Sequence, residues 1–147
     1  MPLRSESNLT HLMRHVLKNH RSHVDRLIRD YDVYPGQPPL LLKLSDTDGL
    51  SQRELADSKG VKPATLTVML QRMEKTGLIR RAADEKDQRV TRVYLTEKGR
   101  GASEAVKKAM EEVEARSFEG FLPEEKLLLR RFLLQMKDNL TSWTPEE

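Results

Sequence analysis

Residues Gly49–Arg100 read GLSQRELADSKGVKPATLTVMLQRMEKTGLIRRAADEKDQRVTRVYLTEKGR. Two segments with helical spacing of apolar residues are joined by a turn at Gly60. A charged hairpin follows, and a Leu-Thr step then begins another helix. This order predicts a winged helix-turn-helix, a fold whose second helix fits the major groove of DNA.

The helix-turn-helix has recognisable local signals in the sequence. Ser51 is followed three residues later by Glu54, which is the capping-box pattern at a helix start. Gly60 suits the left-handed backbone at a helix end, and Pro63 suits the first turn of the next helix, where its missing N–H costs nothing. The second helix is therefore predicted at about residues 63–76.

This second helix has one apolar side and one polar side. The apolar side carries Leu66, Met69, Leu70 and Met73. Thr can bond a phosphate or contact a thymine methyl, Gln can pair with adenine, and Arg with guanine or phosphate. The predicted DNA contacts are Lys62, Thr65, Thr67, Gln71 and Arg72. The alternative is an ordinary amphipathic helix whose polar side meets water.

The hairpin after the second helix predicts a wing. Strands are expected at residues 78–81 and 91–95, around a polar turn at residues 84–87. Arg89, just past the tip, is predicted to enter a narrow minor groove, with Lys86 and Arg92 as further DNA contacts. Asp87 is spaced to pair with Arg89 and hold it. The alternative is an exposed ion pair with no DNA role.

Charge is concentrated in the same segment. Residues 49–100 contain twelve Lys and Arg against seven Asp and Glu, a net charge of +5, whereas the whole chain carries +3. A basic centre between mildly acidic flanks is typical of a module that binds a polyanion. A solvated charged surface is the alternative that charge alone leaves open.

Helical patterns flank the basic segment on both sides. A long amphipathic helix is predicted over residues 6–32, a loop over residues 35–39 and a short helix over residues 40–44. After the wing, a helix is predicted over about residues 97–117, capped by Thr96, and a last helix begins at Pro123. Three residues are expected to fill the corner between these two helices: Phe118, Phe121 and Leu122.

The predicted order is therefore α-α-α-α-β-β-α-α, a mainly α fold with a small β-hairpin wing. The outer helices carry more apolar surface than a winged helix can cover, and large exposed apolar patches usually mark interfaces. We therefore expect dimerisation through the N- and C-terminal helices. The alternative is that these helices fold back onto the same chain.

Three segments resemble the signature of MarR-family regulators: EKTGLIRR at residues 74–81, DQR at residues 87–89 and VYLTEKG at residues 93–99. The resemblance implies a single domain over residues 1–147, with dimerisation helices at 6–34 and 97–147 and a winged helix-turn-helix at 37–96. One departure is the sequence Lys62-Pro63-Ala64, which stands where the family often has a Ser or Thr cap.

The resemblance also implies a function. Family members are homodimeric transcription factors, usually repressors, on pseudo-palindromic double-stranded DNA. Small ligands, often aromatic or phenolic anions, bind between the dimerisation and DNA-binding regions and weaken DNA binding. We therefore expect a ligand-responsive repressor. The alternatives are a ligand-independent DNA-binding activator or architectural protein, and a small enzyme.

Several other classes of site are disfavoured by the sequence. The chain has no cysteine, which excludes disulfides and thiolate chemistry. No nucleophile–base motif or Gly-rich phosphate loop is present, so no enzyme and no cofactor are predicted. Three aromatic residues are expected to pack rather than to line a pocket: Tyr31, Tyr34 and Trp143.

All four histidines lie in the first predicted helix: His11, His15, His20 and His23. His11 and His15 are four residues apart and share a helix face, as a metal-binding pair can. No further ligand completes the set, so no metal is predicted, and a solvated or interface pair is favoured. Their clustering could give pH sensitivity near neutrality.

The chain also lacks the signals of export and membrane insertion. The first residues, MPLRSESN, are polar, which predicts no signal peptide. No apolar run approaches the ~20 residues that a membrane span needs. We therefore expect a soluble, cytoplasmic protein.

Overall fold

The computed structural model describes residues 8–145, which form a winged helix-turn-helix with helices on either side. Six α-helices lie in this part of the chain: α1 Leu9–Leu27, α2 Pro38–Asp46, α3 Gln52–Lys59, α4 Pro63–Lys75, α5 Glu97–Ser117 and α6 Pro123–Ser142. Three antiparallel strands form a sheet in the order β1-β3-β2: β1 Leu50–Ser51, β2 Ile79–Ala83 and β3 Thr91–Leu95. The mainly α fold with a β wing is thereby confirmed.

Two compact units divide the chain. The first ends at Val113 and contains α1 to α4, the sheet and most of α5. The second begins at Glu114 and contains the end of α5 and all of α6. The helix-turn-helix and the wing therefore lie within one unit.

The core of the first unit joins the helix-turn-helix to the sheet. Its fully buried side chains include Leu44 of α2, Leu55 of α3, Leu70 and Met73 of α4, and Val93 of β3. Burial of one such aliphatic side chain contributes about 1.5–3 kcal/mol. The buried side of α4 is the predicted apolar side, so its opposite side faces outward.

The first turn of α5 packs unusually close to the start of β2. A Cβ at Gly99 would lie 1.9 Å from the carbonyl oxygen of Leu78, so only glycine fits there. Thr96 confirms its predicted role as a cap, because its Oγ1 accepts a hydrogen bond from the Gly99 N–H at 3.0 Å. The same hydroxyl donates to the carbonyl of Gly77. The Leu-Thr-x-x-Gly segment thus fixes α5 against the wing.

The first helix is shorter than predicted. Residues 6 and 7 of the predicted span lie outside the described part of the chain, and Asn8 caps α1 by accepting a hydrogen bond from the His11 N–H at 3.2 Å. The helix ends at Leu27 and gives way to a 3-10 turn at Arg29–Tyr31. Asp32 then adopts a left-handed conformation, with φ of 58°, which no helix can continue.

The predicted loop at residues 35–39 is also too long. Pro38 and Pro39 begin α2 instead of preceding it. Proline is tolerated in the first turn of a helix, where its missing N–H has no acceptor within the helix. A pair of prolines is therefore as compatible with a helix start as with a loop.

Two strand predictions are corrected. The first wing strand covers Ile79–Ala83 rather than residues 78–81. The short strand β1 was not predicted; its Leu50 and Ser51 pair with Val93 and Arg92 of β3. Two residues are too few for an alternating pattern, so only the contact with β3 reveals this strand.

Fewer apolar side chains are buried in the second unit than the sequence predicted. The corner residues Phe121 and Leu122 are exposed, and Phe118 is half-buried with its ring edge-on to Phe121 at 5.3 Å. The described residues of α6 include none that is buried. Its exposed apolar side chains are Leu127, Leu128, Phe132, Leu133, Leu134, Met136 and Leu140.

The expected packing is wrong for Tyr31 and Trp143, which are both exposed, Trp143 with 65% of its surface free. Tyr34 is also exposed, but its ring packs against the guanidinium of Arg72. Across residues 8–145, no helix combines the length and the apolar character that crossing a membrane requires.

Candidate nucleic-acid interface

The first helix of the motif, α3, is held at both ends as predicted. The Glu54 N–H donates to Ser51 Oγ at 3.1 Å, and the Ser51 N–H donates to Glu54 Oε2 at 2.8 Å. Hydrogen bonds from the backbone N–H and the side chain of Ser51 to the Glu54 carboxylate hold the pKa of Glu54 below its ordinary value. Gly60 ends the helix with φ of 71°. Both ends of α3 are therefore held by contacts between residues that are close in sequence.

The entrance of α4 lacks a side-chain cap. Lys62 occupies the capping position without a capping hydrogen bond, and Pro63 follows in the first turn. The first backbone N–H groups of the helix have no acceptor within it, so they are available to an anion. Lys62 is exposed beside them. The missing Ser or Thr cap leaves this end of α4 suited to a phosphate.

The outward side of α4 presents a mixed surface. At about 100° per residue, Val68, Gln71 and Lys75 lie along its centre, with Thr67 on one flank and Thr65 and Arg72 on the other. All of these are exposed except Thr67, which is half-buried and donates its hydroxyl to the Pro63 carbonyl at 3.0 Å. The residues of α4 that were predicted to contact DNA therefore point in different directions from the helix, some from its centre and some from its flanks.

Val68 was not among the predicted site residues. Its side chain is 66% exposed at the centre of the outward side. An apolar side chain in that position can contact the methyl group of thymine. The signal that could have identified it is an aliphatic residue on the polar side of a helix.

Arg72 is turned toward the loop between α1 and α2. Its guanidinium lies over the ring of Tyr34, 3.9 Å from the centroid. The Tyr34 N–H donates in turn to Oε1 of the buried Gln37 at 3.0 Å. The exposed ring of Tyr34 thus sets the position of an arginine that was predicted to contact DNA.

The same loop is fastened to α3. The Lys59 ammonium donates to the Gly36 carbonyl at 2.7 Å. Burial lowers the pKa of Lys59, and the positive charge of Arg21 adds to that effect. The loop between α1 and α2 therefore contacts both helices of the motif.

The tip of the wing contains the predicted pair of Asp87 and Arg89. Asp87 Oδ1 accepts from the Arg89 backbone N–H and from Nε, both at 3.1 Å, and Oδ2 accepts from the guanidinium at 3.2 Å. These bonds lower the pKa of Asp87. The side chain of Arg89 nevertheless remains 90% exposed. Arg89 is therefore oriented and still open to a partner.

Arg92, also predicted to contact DNA, is engaged inside the wing. Its Nε donates to Asp84 Oδ1, and a terminal nitrogen donates to the Gly49 carbonyl at 2.9 Å. The guanidinium lowers the pKa of Asp84, whose carboxylate raises the pKa of Arg92 in return. The side chains of Arg92 and Asp84 are only 36% and 19% exposed.

Other cations of the basic segment also serve internal contacts. Arg81 pairs with Glu74 at 3.1 Å and donates to Gln52 Oε1 at 3.2 Å, which joins β2 to α4 and α3. Arg80 lies over the ring of Tyr94. The charge excess of the segment therefore divides between internal links and exposed cations such as Lys62, Lys86 and Arg89.

A cleft of about 750 Å³ opens between α3, α4 and the wing. Its lining includes Thr67 from α4, Arg89 from the wing, and Gln52 and Arg53 from the first turn of α3. Gln52 and Arg53 were not predicted. Arg53 carries a signal, because a cation in the first turn opposes the helix dipole and is unfavourable unless an anion is bound there.

The histidines do not assemble a metal site. The rings of His11 and His15 stack at 5.9 Å, which agrees with their shared helix face. Over residues 8–145, no group of three or more His, Cys, Asp or Glu side chains is arranged to hold a metal ion.

Comparison with known proteins identifies relatives across this region. The sequence model of the MarR family matches residues 34–91. The transcriptional regulator TtmR of Methylorubrum extorquens is 42% identical over 69 residues, which cover 47% of this chain and 35% of TtmR. The transcriptional repressor MdtR of Bacillus subtilis is 35% identical over 96 residues, which cover 65% of this chain and 61% of MdtR. The chain thus spans less than two thirds of either relative.

Solved structures extend the likeness to most of the chain. A MarR-like transcription regulator from Bacillus cereus superimposes with a TM-score of 0.79 at 29% sequence identity. That alignment covers 90% of this chain and 95% of the other. The likeness therefore includes the flanking helices as well as the winged helix-turn-helix.

Proposed function

The chain belongs to the MarR family of transcriptional regulators, and we propose that it binds double-stranded DNA in a sequence-specific manner as a homodimer. The matching relatives are helix-turn-helix regulators and not enzymes. The observation that carries the proposal is the cleft lined jointly by Thr67 of α4 and Arg89 of the wing. A DNA backbone lying in this cleft would have the major groove on the α4 side and the minor groove on the wing side.

The residues of α4 divide between positioning and reading. Lys62 and the free N–H groups of the first turn would bind a phosphate. Gln71 and Thr65 have exposed polar groups that suit base edges, and the exposed Val68 suits a thymine methyl. Thr67 keeps its methyl and hydroxyl lone pairs at the cleft, because its hydroxyl hydrogen is already donated to Pro63. Arg72, whose guanidinium lies over the ring of Tyr34, would contact a guanine or a phosphate at the flank of α4.

The wing residues suit the minor groove. Arg89 projects from the tip with its guanidinium already oriented by Asp87. A narrow minor groove has a strongly negative potential, which favours insertion of an arginine. Lys86, exposed on the same tip, would contact the flanking phosphates. Asp87 would structure the wing without touching DNA.

A homodimer would duplicate this surface by two-fold symmetry. Each half-site would then lie one helical turn, about 10 bp, or a multiple of it from the other. Support comes from the exposed apolar residues of α6, because a surface of that kind usually marks an interface. We also propose a cytoplasmic location, because the partner is chromosomal DNA.

We further propose that the protein is a repressor and that a small aromatic or phenolic anion releases it from DNA. This proposal rests on membership of the family and on the relative MdtR, which is a repressor. Titration of benzoate and phenol derivatives into the protein–DNA complex tests the response to an effector. Release of DNA by at least one of them is expected, and a complex that is insensitive to all would favour a ligand-independent regulator.

The experiment that tests DNA recognition is selection of duplexes by the purified protein. Randomised 30-bp fragments retained at moderate salt would be sequenced after several rounds. We expect a pseudo-palindromic motif with half-sites spaced by about one helical turn. Recovery of unenriched sequences, bound only through their phosphates, would exclude a sequence-specific regulator.

A further inference from the structure

A continuous chain of hydrogen bonds runs from the body of the protein to the tip of the wing. The Gly49 carbonyl accepts from Arg92, and Arg92 also donates to Oδ1 of Asp84. Oδ2 of Asp84 accepts from the backbone N–H groups of Lys86 and Asp87, both at 3.0 Å. Asp87 finally holds Arg89. The hydrogen bonds therefore connect Gly49 to Arg89 without a gap, through Arg92, Asp84 and Asp87 in turn.

The Gly49 end of this chain is a fixed anchor. Gly49 adopts φ of 74° and donates its N–H to the Val93 carbonyl at 3.0 Å. A Cβ at this position would approach the Tyr94 ring to 2.9 Å, so the turn is packed tightly against β3. Ser51, which caps α3, follows two residues later. The anchor therefore lies in the turn between α2 and β1, and it joins β3 to the segment that leads into α3.

Arg92 is placed to link the Gly49 turn to the wing, and it is poorly placed to bind DNA. It lies within β3, in register with Ser51 of β1 on one side and Ala82 of β2 on the other. Its guanidinium bonds one group on each side of the wing base and is neutralised by the Asp84 carboxylate. Arg89, by contrast, is almost fully exposed.

We propose that Arg92 is a positioning residue that fixes the wing against the Gly49 turn and makes no contact with DNA itself. It sets the distance and angle at which Arg89 enters the minor groove while α4 occupies the major groove. This inference rests on the proposed DNA-binding function. It assigns to Arg92 a role that differs from the phosphate or base contact expected from its positive charge.

A double-mutant cycle on the selected operator tests this role. Arg92→Gln is expected to weaken binding on the order of five- to tenfold, within the usual range of coupled residues. In an Arg89→Ala background the same substitution should cause little further loss, because Arg92 acts through Arg89. Independent, multiplicative losses in the double variant would overturn the proposal.

Salt dependence separates positioning from direct contact. A cation that binds phosphate contributes about one unit to the slope of log K against log salt. In the Arg89→Ala background, where the wing arginine no longer contributes, Arg92→Gln should therefore leave the slope unchanged, and a further reduction by about one would show a direct contact. Arg100→Gln is the matched control, because it removes an exposed cation paired with Asp48 at 3.4 Å and leaves the wing intact.

A measurement on the free protein keeps this inference separate from the proposed function. The wing tip is closed by hydrogen bonds from the Asp84 N–H to the Val90 carbonyl and from the Val90 N–H to the Asp87 carbonyl. In Arg92→Gln, hydrogen exchange at these two amides should accelerate while the amides of α4 keep their rates. Unchanged wing exchange would contradict the positioning role, whereas a wild type without sequence preference would contradict DNA recognition alone.

Discussion

At the wing tip, the two oxygens of Asp87 take up three donors of Arg89. This arrangement orders a long side chain before it meets its partner, which reduces the entropy lost on binding. The pair itself is largely exposed, so its contribution to folding is small. The main effect of the pair is to hold the guanidinium of Arg89 in one direction.

Replacing Arg89 with alanine tests the wing contact. Arg89→Ala is expected to weaken operator binding by about 1–3 kcal/mol, because it removes the arginine that we propose to enter the minor groove. The thermal unfolding midpoint should stay close to that of the wild type. Fluorescence anisotropy at moderate salt measures the loss, with Lys108→Ala on the exposed side of α5 as the control. Equal affinities for Arg89→Ala and the control would remove the wing from the interface.

At the scale of single elements, the parts predicted from sequence are those with local causes. The Ser51–Glu54 box, the left-handed Gly60 and the Thr96 cap each depend on residues within a few positions, and all three are present. Strand β1 and the inward direction of Arg92 depend on contacts with distant segments, so no local pattern revealed them. The end of α1 was missed because the helical spacing continues through the 3-10 turn.

In the candidate site too, features with local causes were predictable from the sequence, and features that depend on distant contacts were not. The exposure of Lys62, Thr65 and Gln71 follows from the helix period once the buried side of α4 is identified. The direction of Arg72 does not, because it is set by Tyr34 of another loop. Sequence patterns therefore assign residues to a surface, but partners across the fold decide which of them remain free.

The capping box makes one contribution to stability dependent on pH. Since the pKa of Glu54 is lowered in the folded chain, its contribution is present above the ordinary value of 4.5 and is lost as the pH falls through the folded value. Glu54→Gln should destabilise the protein by about 0.3–1 kcal/mol at neutral pH, through loss of a charge at the start of α3. Urea unfolding at pH 7 and pH 3 measures this.

The difference between wild type and Glu54→Gln should narrow at the lower pH. Glu112→Gln, an exposed change in the middle of α5, serves as the control. A difference that stays constant from pH 7 to pH 3 would show that the charge of Glu54 is not what stabilises α3.

The two glycines at the start of α5 provide a matched pair of substitutions. Gly99→Ala forces a Cβ against the Leu78 carbonyl and should destabilise the fold by about 1–3 kcal/mol or more. Gly101→Ala meets no atom within 4 Å and should stabilise the helix by up to about 1 kcal/mol. Thermal unfolding of both variants decides this. Similar shifts in the two midpoints would contradict the close approach of α5 to β2.

At the scale of the whole molecule, each compact unit exposes apolar residues. In the first unit they include Leu9, Val16 and Leu17 of α1, and in the second they include Leu128 and Leu140 of α6. Single exposed leucines are ordinary, but rows of them on two long helices are costly in water. A second copy of the chain is the partner that the proposed function requires.

The oligomeric state in solution tests the proposed homodimer. Sedimentation equilibrium should give twice the mass of the 17.0-kDa chain at micromolar concentration. Leu128→Glu combined with Leu133→Glu should shift the population toward the monomer and weaken operator binding. Lys137→Glu on the same helix is the control for added negative charge. A monomer for the wild type at all accessible concentrations would exclude the homodimer.

The outward side of α4 is proposed to read the base sequence of the operator, and competition binding with Gln71→Ala measures this reading. Affinities for the selected operator and for a scrambled duplex of equal composition would be measured at one salt concentration. We expect a loss of about 1–3 kcal/mol on the operator and little change on the scrambled duplex, so that the ratio of the two affinities falls. Equal losses on both duplexes, with the ratio preserved, would contradict recognition of sequence by this helix.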